Sequence, residues 1–185
     1  GVSYFAGTDW NSSDGYRDNS DFESFNLDAS VTKNWDEARS LSISTFYHDS
    51  SYGLPGSLSW NDFKTNPKKA TSPNDHSQLD TWGANLGGST KLGDDGRLEA
   101  NLTASRREAD TQYASMKMYR ESTVDSYAFT PRYTLDSDLG GHENRLTLGT
   151  DVRLDRASID DNGKVWDFDR TSLAGYASDE FFFTE

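Results

Sequence analysis

The sequence predicts an all-β fold made of about eight antiparallel, up-and-down strands of a transmembrane β-barrel. Three observations lead to this prediction. Runs of residues alternate apolar and polar side chains, the connections between runs alternate between long and short, and no run is apolar over the roughly 18 residues that a membrane helix needs. If the chain crosses a membrane, we therefore expect it to cross as strands.

The composition limits both the core and the partners. Of the 185 residues, 33% are hydrophobic and 26% are charged, which is little material for a packed interior. Disordered chains are usually poor in aromatics, yet this chain has five Trp, nine Tyr and ten Phe, so we expect an ordered structure. The net charge of -13 argues against a nucleic-acid partner. Without cysteine there is no disulfide and no thiolate metal site.

The clearest alternation lies in two runs that a short turn at 35–38 connects, after a short aromatic-rich strand at 1–10. The first run places four apolar residues on one face: Phe25, Leu27, Ala29 and Val31. The second run does the same with Leu41, Ile43, Thr45 and Tyr47. A period of two is the mark of a strand whose faces meet different surroundings.

A fixed corner is predicted where the second run enters a long loop, at Tyr52-Gly53-Leu54-Pro55-Gly56-Ser57-Leu58. Pro55 forces Leu54 into an extended backbone, and Gly53 and Gly56 supply positions where φ can be positive. We place this corner at the outer rim of the barrel.

The later runs continue the pattern. Alternation returns at 79–92 and 98–104, at 127–135 and at 146–154, and a last strand is predicted from Thr171 to Glu185. Pro131 lies inside one of these runs and cannot donate a ladder hydrogen bond, so a bulge or a strand break is expected there.

The connections sort by length. Long loops are predicted at 11–21, 49–77, 109–122 and 159–170, and short ones at 35–38, 93–96 and 136–143. All the long loops then lie at one end, as in transmembrane barrels. The polar strand face is expected to line the lumen. Five aromatics near run ends are candidates for an interfacial girdle: Trp35, Tyr47, Trp82, Tyr127 and Tyr133.

Several segments resemble a known family, the TonB-dependent outer-membrane receptors. They are Gly15 to Asp21, Asp49 to Leu58, Thr130-Pro131-Arg132-Tyr133 and Leu148-Gly149-Thr150-Asp151-Val152, in this order and spacing. The segment Tyr-Gly-Leu-Pro-Gly is the most specific of these.

The resemblance implies a Gram-negative outer-membrane receptor that imports a scarce ligand, such as an iron-siderophore complex, haem or cobalamin. Its implied partners are outer-membrane lipid, a small-molecule metal chelate and the TonB system, reached through a plug domain. Members have a 22-stranded barrel, so residues 1–185 are interpreted as a single barrel segment, a fragment with no plug within it.

No enzyme constellation stands out, and no cofactor is expected. The ligand-binding candidates are aromatic and basic residues of the outer loops: Tyr16, Arg17, Tyr52, Trp60 and Arg120. For Tyr16 and Tyr52 a structural role at the loop corners is the competing interpretation. Calcium binding is the less favoured interpretation of the acidic loop at 159–170, because the spacing does not match a calcium loop and a solvated loop explains the residues.

Two other hypotheses compete with the receptor. One is a complete eight-stranded outer-membrane barrel with an adhesion or structural role. The other is a soluble β-sandwich that binds carbohydrate through exposed aromatics.

Overall fold

The computed structural model describes residues 1–183, which form eight strands and one short helix. The elements are β1 (Val2–Ser13), β2 (Phe22–Asn34), β3 (Ser40–Gly53), α1 (Trp60–Thr65), β4 (His76–Lys91), β5 (Gly96–Tyr113), β6 (Met118–Asp138), β7 (Glu143–Asp161) and β8 (Lys164–Phe181). Thr184 and Glu185, where we expected the last strand to end, lie outside the described residues.

The strands form one antiparallel sheet in chain order, from β1 to β8. Within the described residues, β1 and β8 do not pair with each other, so the sheet has two open edges. Among residues 1–183, no helix has both the length and the apolar composition required to span a bilayer. The expected eight strands and their up-and-down order are confirmed.

The register gives the sheet one apolar and one polar face. Leu86 of β4 lies opposite Ile43 and Leu102, whereas its neighbour Asn85 lies opposite Ser44 and Thr103. Directly opposed residues share a face, so the two sets stay separate across the strands. No hydrophobic side chain of the described residues is buried, because the sheet is a single layer. A soluble sandwich would need a second sheet, which this part of the chain does not contain.

Aromatic side chains mark one border of the apolar face. Trp10 lies opposite Phe25, and Tyr47 lies opposite Trp82. The rings of Phe25 and Tyr47 approach to 6.3 Å between centroids. Tyr127 of β6 continues this series beside Ala104, and Tyr133 lies six residues along the same strand on the same face. Trp35 lies in the turn at 35–39 instead.

Two of the predicted long loops are tight turns. Only residues 114–117 connect β5 to β6, and only 162–163 connect β7 to β8. The strands continue past the apolar band as a paired ribbon, where Arg106 and Asp125 form a two-point ion pair with distances of 2.6 and 2.8 Å. On the side that continues the apolar band the ribbon is largely polar, and apolar residues such as Val124, Ala157 and Phe168 lie on its other face. The hydrophobic alternation therefore does not continue in phase, although the strand persists. The predictions of loops at 109–122 and 159–170 were therefore wrong.

Pro131 does not bend the strand. β6 runs unbroken from Met118 to Asp138, and the register with β7 is the same on both sides of the proline. Only the pairing of Thr130 and Pro131 with β7 is missing. Because proline has no N–H, the hydrogen-bond ladder with β7 is interrupted locally, but the expected bulge or break does not occur.

Candidate functional site at the loop rim

The two long loops that the structure contains lie at the same end of the sheet, and Arg17 connects them by hydrogen bonds. Loop L1 comprises residues 14–21 and loop L2 comprises residues 54–75. The Arg17 guanidinium donates to the carbonyls of Gly56 at 2.7 Å, Lys69 at 2.9 Å and Pro55 at 3.2 Å. A planar fork of donors can bridge carbonyls that come from both ends of L2. Arg17 therefore closes L2 into a compact loop.

Asn19 makes a second connection between the loops. Its backbone has a φ of 53°, and its side-chain amide donates to the carbonyls of Ser72 at 2.7 Å and Asp75 at 2.8 Å. A Cβ on Gly53 would lie 2.5 Å from the Asn19 carbonyl oxygen. Gly53 is not among the glycines with positive φ, so the prediction from its turn geometry was wrong. Glycine is required there because L1 approaches so closely.

Asp75 connects both loops to the turn at 114–117. Its side chain is buried, with 3% exposure, and accepts hydrogen bonds from the Ser115 N–H at 2.9 Å and the Ser115 hydroxyl at 2.8 Å. Its carbonyl accepts from the Leu54 N–H at 2.8 Å. The hydrogen bond from the Ser115 backbone is the main cause that lowers the pKa of Asp75 below its usual range. Asp75 thus connects three hairpin ends, the turn at 114–117 through its carboxylate and the loops L1 and L2 through its backbone carbonyl.

The predicted corner at the entrance of L2 is confirmed. Gly56 has a φ of +73°, and a Cβ there would lie 2.3 Å from the Thr71 hydroxyl. The Pro55 carbonyl accepts hydrogen bonds from the N–H groups of Thr71 at 2.8 Å and Ser72 at 3.2 Å. The corner turns the chain from β3 into L2, and its hydrogen bonds join the beginning of L2 to Thr71 and Ser72 near the end of the loop.

The middle of L2 forms α1, whose aromatic side chains are exposed. Ser59 caps the helix by accepting from the Asp62 N–H at 3.1 Å. Trp60 and Phe63 stack at 5.7 Å between ring centroids and are 69% and 54% exposed. The Lys64 ammonium lies 4.7 Å from the centroid of the Trp60 ring. Lys69 fixes the helix to the loop through a 2.8 Å ion pair with Asp62.

Three of the five predicted site residues lie in these two interlocked loops. Tyr16 and Arg17 of L1 contact L2, where Trp60 lies, and the Lys68 ammonium is 5.7 Å from the Tyr16 ring centroid. Tyr52 lies below them on the polar face, opposite Phe22 and Ser77.

Arg120 lies apart from the loops, in β6 near its turn. It forms a 2.6 Å ion pair with Asp161, whose hydrogen bond raises the pKa of the arginine. The role of all five residues in ligand contact stays a prediction.

Phe63, Lys64 and Lys68 were not singled out from the sequence. A local signal was present, since Ser59 followed three residues later by Asp62 is a helix-start pattern. A helix at this position brings residues 60 and 63 onto one side.

The acidic segment 160–163 is a turn whose carboxylates have partners. Asp160 accepts from the Gly163 N–H at 2.7 Å, and Asp161 binds Arg120. Asn162 and Gly163 have φ values of 55° and 87°, as a two-residue hairpin turn requires.

The polar face of the sheet carries ion pairs between strands. Asp155 accepts from the Ser126 hydroxyl at 2.6 Å, from Arg153 at 2.8 Å and from Arg170 at 2.6 Å. Glu99 pairs with Arg132 of the next strand and, at 3.0 Å, with Arg97. A wet interior of this kind is typical of outer-membrane barrels.

These features define a class: the sheet has the fold of part of the wall of a transmembrane β-barrel. No protein-family profile and no curated protein matches the chain.

Solved structures narrow the fold further. FpvA of P. aeruginosa, bound to heterologous pyoverdine and iron, matches with a TM-score of 0.80 and 10% identity, over 100% of this chain and 31% of that one. Fiu, the ferric-catecholate import receptor of E. coli K12, matches with a TM-score of 0.76 and 13% identity, over 99% of this chain and 38% of that one. The unliganded ferric citrate transporter FecA matches with a TM-score of 0.71 and 15% identity, over 96% of this chain and 30% of that one.

The likeness to these receptors establishes the fold alone at such identities. The resemblance that the sequence suggested is confirmed at that level. The chain spans about a third of the length of each of these structures.

Proposed function

We propose that this chain forms part of the wall and the outer loops of an outer-membrane receptor. The whole receptor takes up a scarce ligand, an iron chelate of the siderophore kind, by TonB-dependent transport. The chain itself performs no covalent chemistry. The single observation that carries this proposal is the open, one-layer sheet with an apolar and a polar face.

The open edges favour a large barrel over a small closed one. In lipid every unpaired backbone group costs several kcal/mol, so strands cannot end in a free edge there. β1 and β8 leave such edges within the described residues. Further strands of the same barrel are the simplest partners, which counts against an eight-stranded adhesion barrel.

The side chains of loops L1 and L2, which together form the loop rim, favour an anionic, partly aromatic ligand. Trp60 and Phe63 offer ring faces, and Lys64 and Lys68 offer cations, on a chain whose net charge is -13. Ring faces with a few charged anchors suit large ligands with flat apolar parts. The ligands in the names of the similar structures, ferric citrate, ferric catecholates and pyoverdine with iron, share the chemistry of an anionic iron chelate.

Uptake by the full-length protein tests the proposal. Deletion of its gene should abolish growth on one ferric chelate supplied as the sole iron source, and the full-length gene should restore that growth. The protein should fractionate with the outer membrane and migrate faster in gels before heating than after. A soluble protein, or a deletion strain that grows on every chelate tested, would refute the receptor.

Tryptophan fluorescence tests the loop rim directly. Ferric chelates quench nearby tryptophans, so Trp60→Phe in the full-length receptor should reduce the quenching that the transported chelate causes. Trp35→Phe is the matched control, because Trp35 is also exposed but lies in the turn at 35–39, at the other end of the sheet. Equal losses in both variants would exclude Trp60 as a contact.

A further inference from the structure

The ribbon beyond the apolar band carries an apolar patch on its inner face, the face that continues the polar side of the sheet. Four strand segments form the ribbon: 106–113, 118–125, 155–161 and 164–170. On its inner face Phe168 lies opposite Ala157, which in turn lies opposite Val124. In the next row outward, Trp166 lies opposite Ile159. The apolar residues thus change from the outer to the inner face where the ribbon begins.

The two aromatic rings of this patch are open to solvent. Phe168 is 54% exposed and Trp166 is 36% exposed. A further strand beside β8 would lie in the plane of the sheet, so it would extend the patch without covering its face. Ring faces that water covers gain free energy when a partner covers them instead. The patch is therefore a docking surface.

The charges of the ribbon indicate what kind of partner fits this face. The outer face carries seven carboxylates and two arginines, whereas the inner face carries two carboxylates and four cations: Arg107, Arg120, Lys164 and Arg170. Arg107 and Lys164 form no ion pair within residues 1–183. Arg107 lies opposite Val124, and the Lys164 ammonium is 4.8 Å from the centroid of the Trp166 ring. An anionic partner is therefore attracted to the inner face and repelled by the outer one.

We propose that the inner face of the ribbon binds the aryl arms of an anionic ferric chelate, and that the protein thereby selects aromatic chelates over aliphatic ones such as ferric citrate. An aryl ring of the chelate stacks on Phe168 and Trp166, and its negative oxygens face Lys164 and Arg107. Ferric citrate has the charge but no ring, so it gains nothing from the patch. This inference rests on the proposed function and narrows its ligand class. The surface is separate from α1, which lies between β3 and β4.

Titration of the full-length protein in mild detergent tests this surface. Quenching of tryptophan fluorescence measures its affinity for a ferric tris-catecholate and for ferric citrate, and the unmodified protein should bind the tris-catecholate more tightly. Phe168→Ser removes one stacking face, so it should weaken tris-catecholate binding about tenfold and leave ferric citrate binding unchanged. Val165→Ser is the matched control, because Val165 is 55% exposed in the same strand but lies on the outer face, opposite Asp160.

Trp166→Phe keeps a ring at its position, so it should retain the affinity for the tris-catecholate while the quenching becomes smaller. Unchanged quenching in this variant shows that another part of the full-length protein covers the face, which overturns the proposal. Equal affinities of the Phe168→Ser and Val165→Ser variants, or tighter binding of ferric citrate by the unmodified protein, overturn it as well.

The failure of this surface and the failure of the proposed function give different results. Each variant is first checked for heat-modifiable migration, so that a loss of affinity is not a loss of folding. A folded protein that binds other ferric chelates but not the tris-catecholate refutes only the ribbon surface. A folded protein that binds no ferric chelate refutes the proposed function itself.

Discussion

Arg17→Ala should open loop L2 while the sheet stays intact. The guanidinium holds three carbonyls, those of Pro55, Gly56 and Lys69, at distances from 2.7 to 3.2 Å. Water can replace the arginine at this exposed rim, so each of the three carbonyl contacts contributes only about 1 kcal/mol, or about 3 kcal/mol in total. That loss corresponds to a roughly hundredfold increase in the population of opened L2.

Trypsin cleavage after Lys68 and Lys69 reports this opening, because the carbonyls of both residues accept hydrogen bonds from L1 in the closed loop. The full-length protein in outer-membrane vesicles, as the proposed function requires, should be cut at these sites about a hundredfold faster in the Arg17→Ala variant. Arg120→Ala is the control, since this arginine lies at the same end but does not contact L2. Unchanged cleavage, or loss of heat-modifiable migration, would refute a local role for Arg17.

Three further outcomes are expected. In Gly53→Ala the added methyl group overpacks against L1, which should destabilise the closed loops by about 1–3 kcal/mol and raise amide exchange in L1 and L2. Gly88→Ala is the control and should leave this exchange unchanged. Equal exchange in the two variants would contradict the close approach of L1 to Gly53. Because the pKa of Asp75 is lowered in the folded protein, its carboxylate contributes fully to stability above the unfolded pKa of about 3.8. This contribution is lost as the pH falls through the folded pKa. The protection factor of the Ser115 amide against hydrogen exchange should therefore fall only in acid, and in Asp75→Asn it should be low at every pH. Calcium up to millimolar levels should leave Trp166 fluorescence unchanged, and a saturable response would revive a calcium site at 160–169.

Alternation in the sequence predicted the strands well where the sheet has one apolar and one polar face. The runs from Phe25 to Val31 and from Leu41 to Tyr47 are strands with the faces that we expected. Beyond Ala104 and Tyr127 the face of the apolar band becomes polar, and the ion pair of Arg106 with Asp125 lies on it. The apolar residues that follow, such as Val124 and Phe168, lie on the other face, so no continuous hydrophobic period marks the strand. Strand pairing there depends on the partner strand, which a single run of residues does not reveal.

The candidate site was predicted as a set of residue types but not as an arrangement. Arg17 was singled out for its charge, yet its carbonyl partners are 38 to 52 residues away in the chain. Gly53 was assigned to a turn because glycine commonly serves turns, whereas the approach of Asn19 from another loop is what excludes a side chain. Long-range contacts of this kind leave no periodic trace in the sequence.

The order of the sheet also bears on how the protein folds. Every strand pairs with its neighbour in the chain, so no ladder has to wait for a distant segment. Contacts between near neighbours in sequence close quickly, and each finished hairpin presents its outer backbone as the template for the next strand. The sheet can thus grow one hairpin at a time, with unsatisfied backbone groups confined to its two margins at every stage.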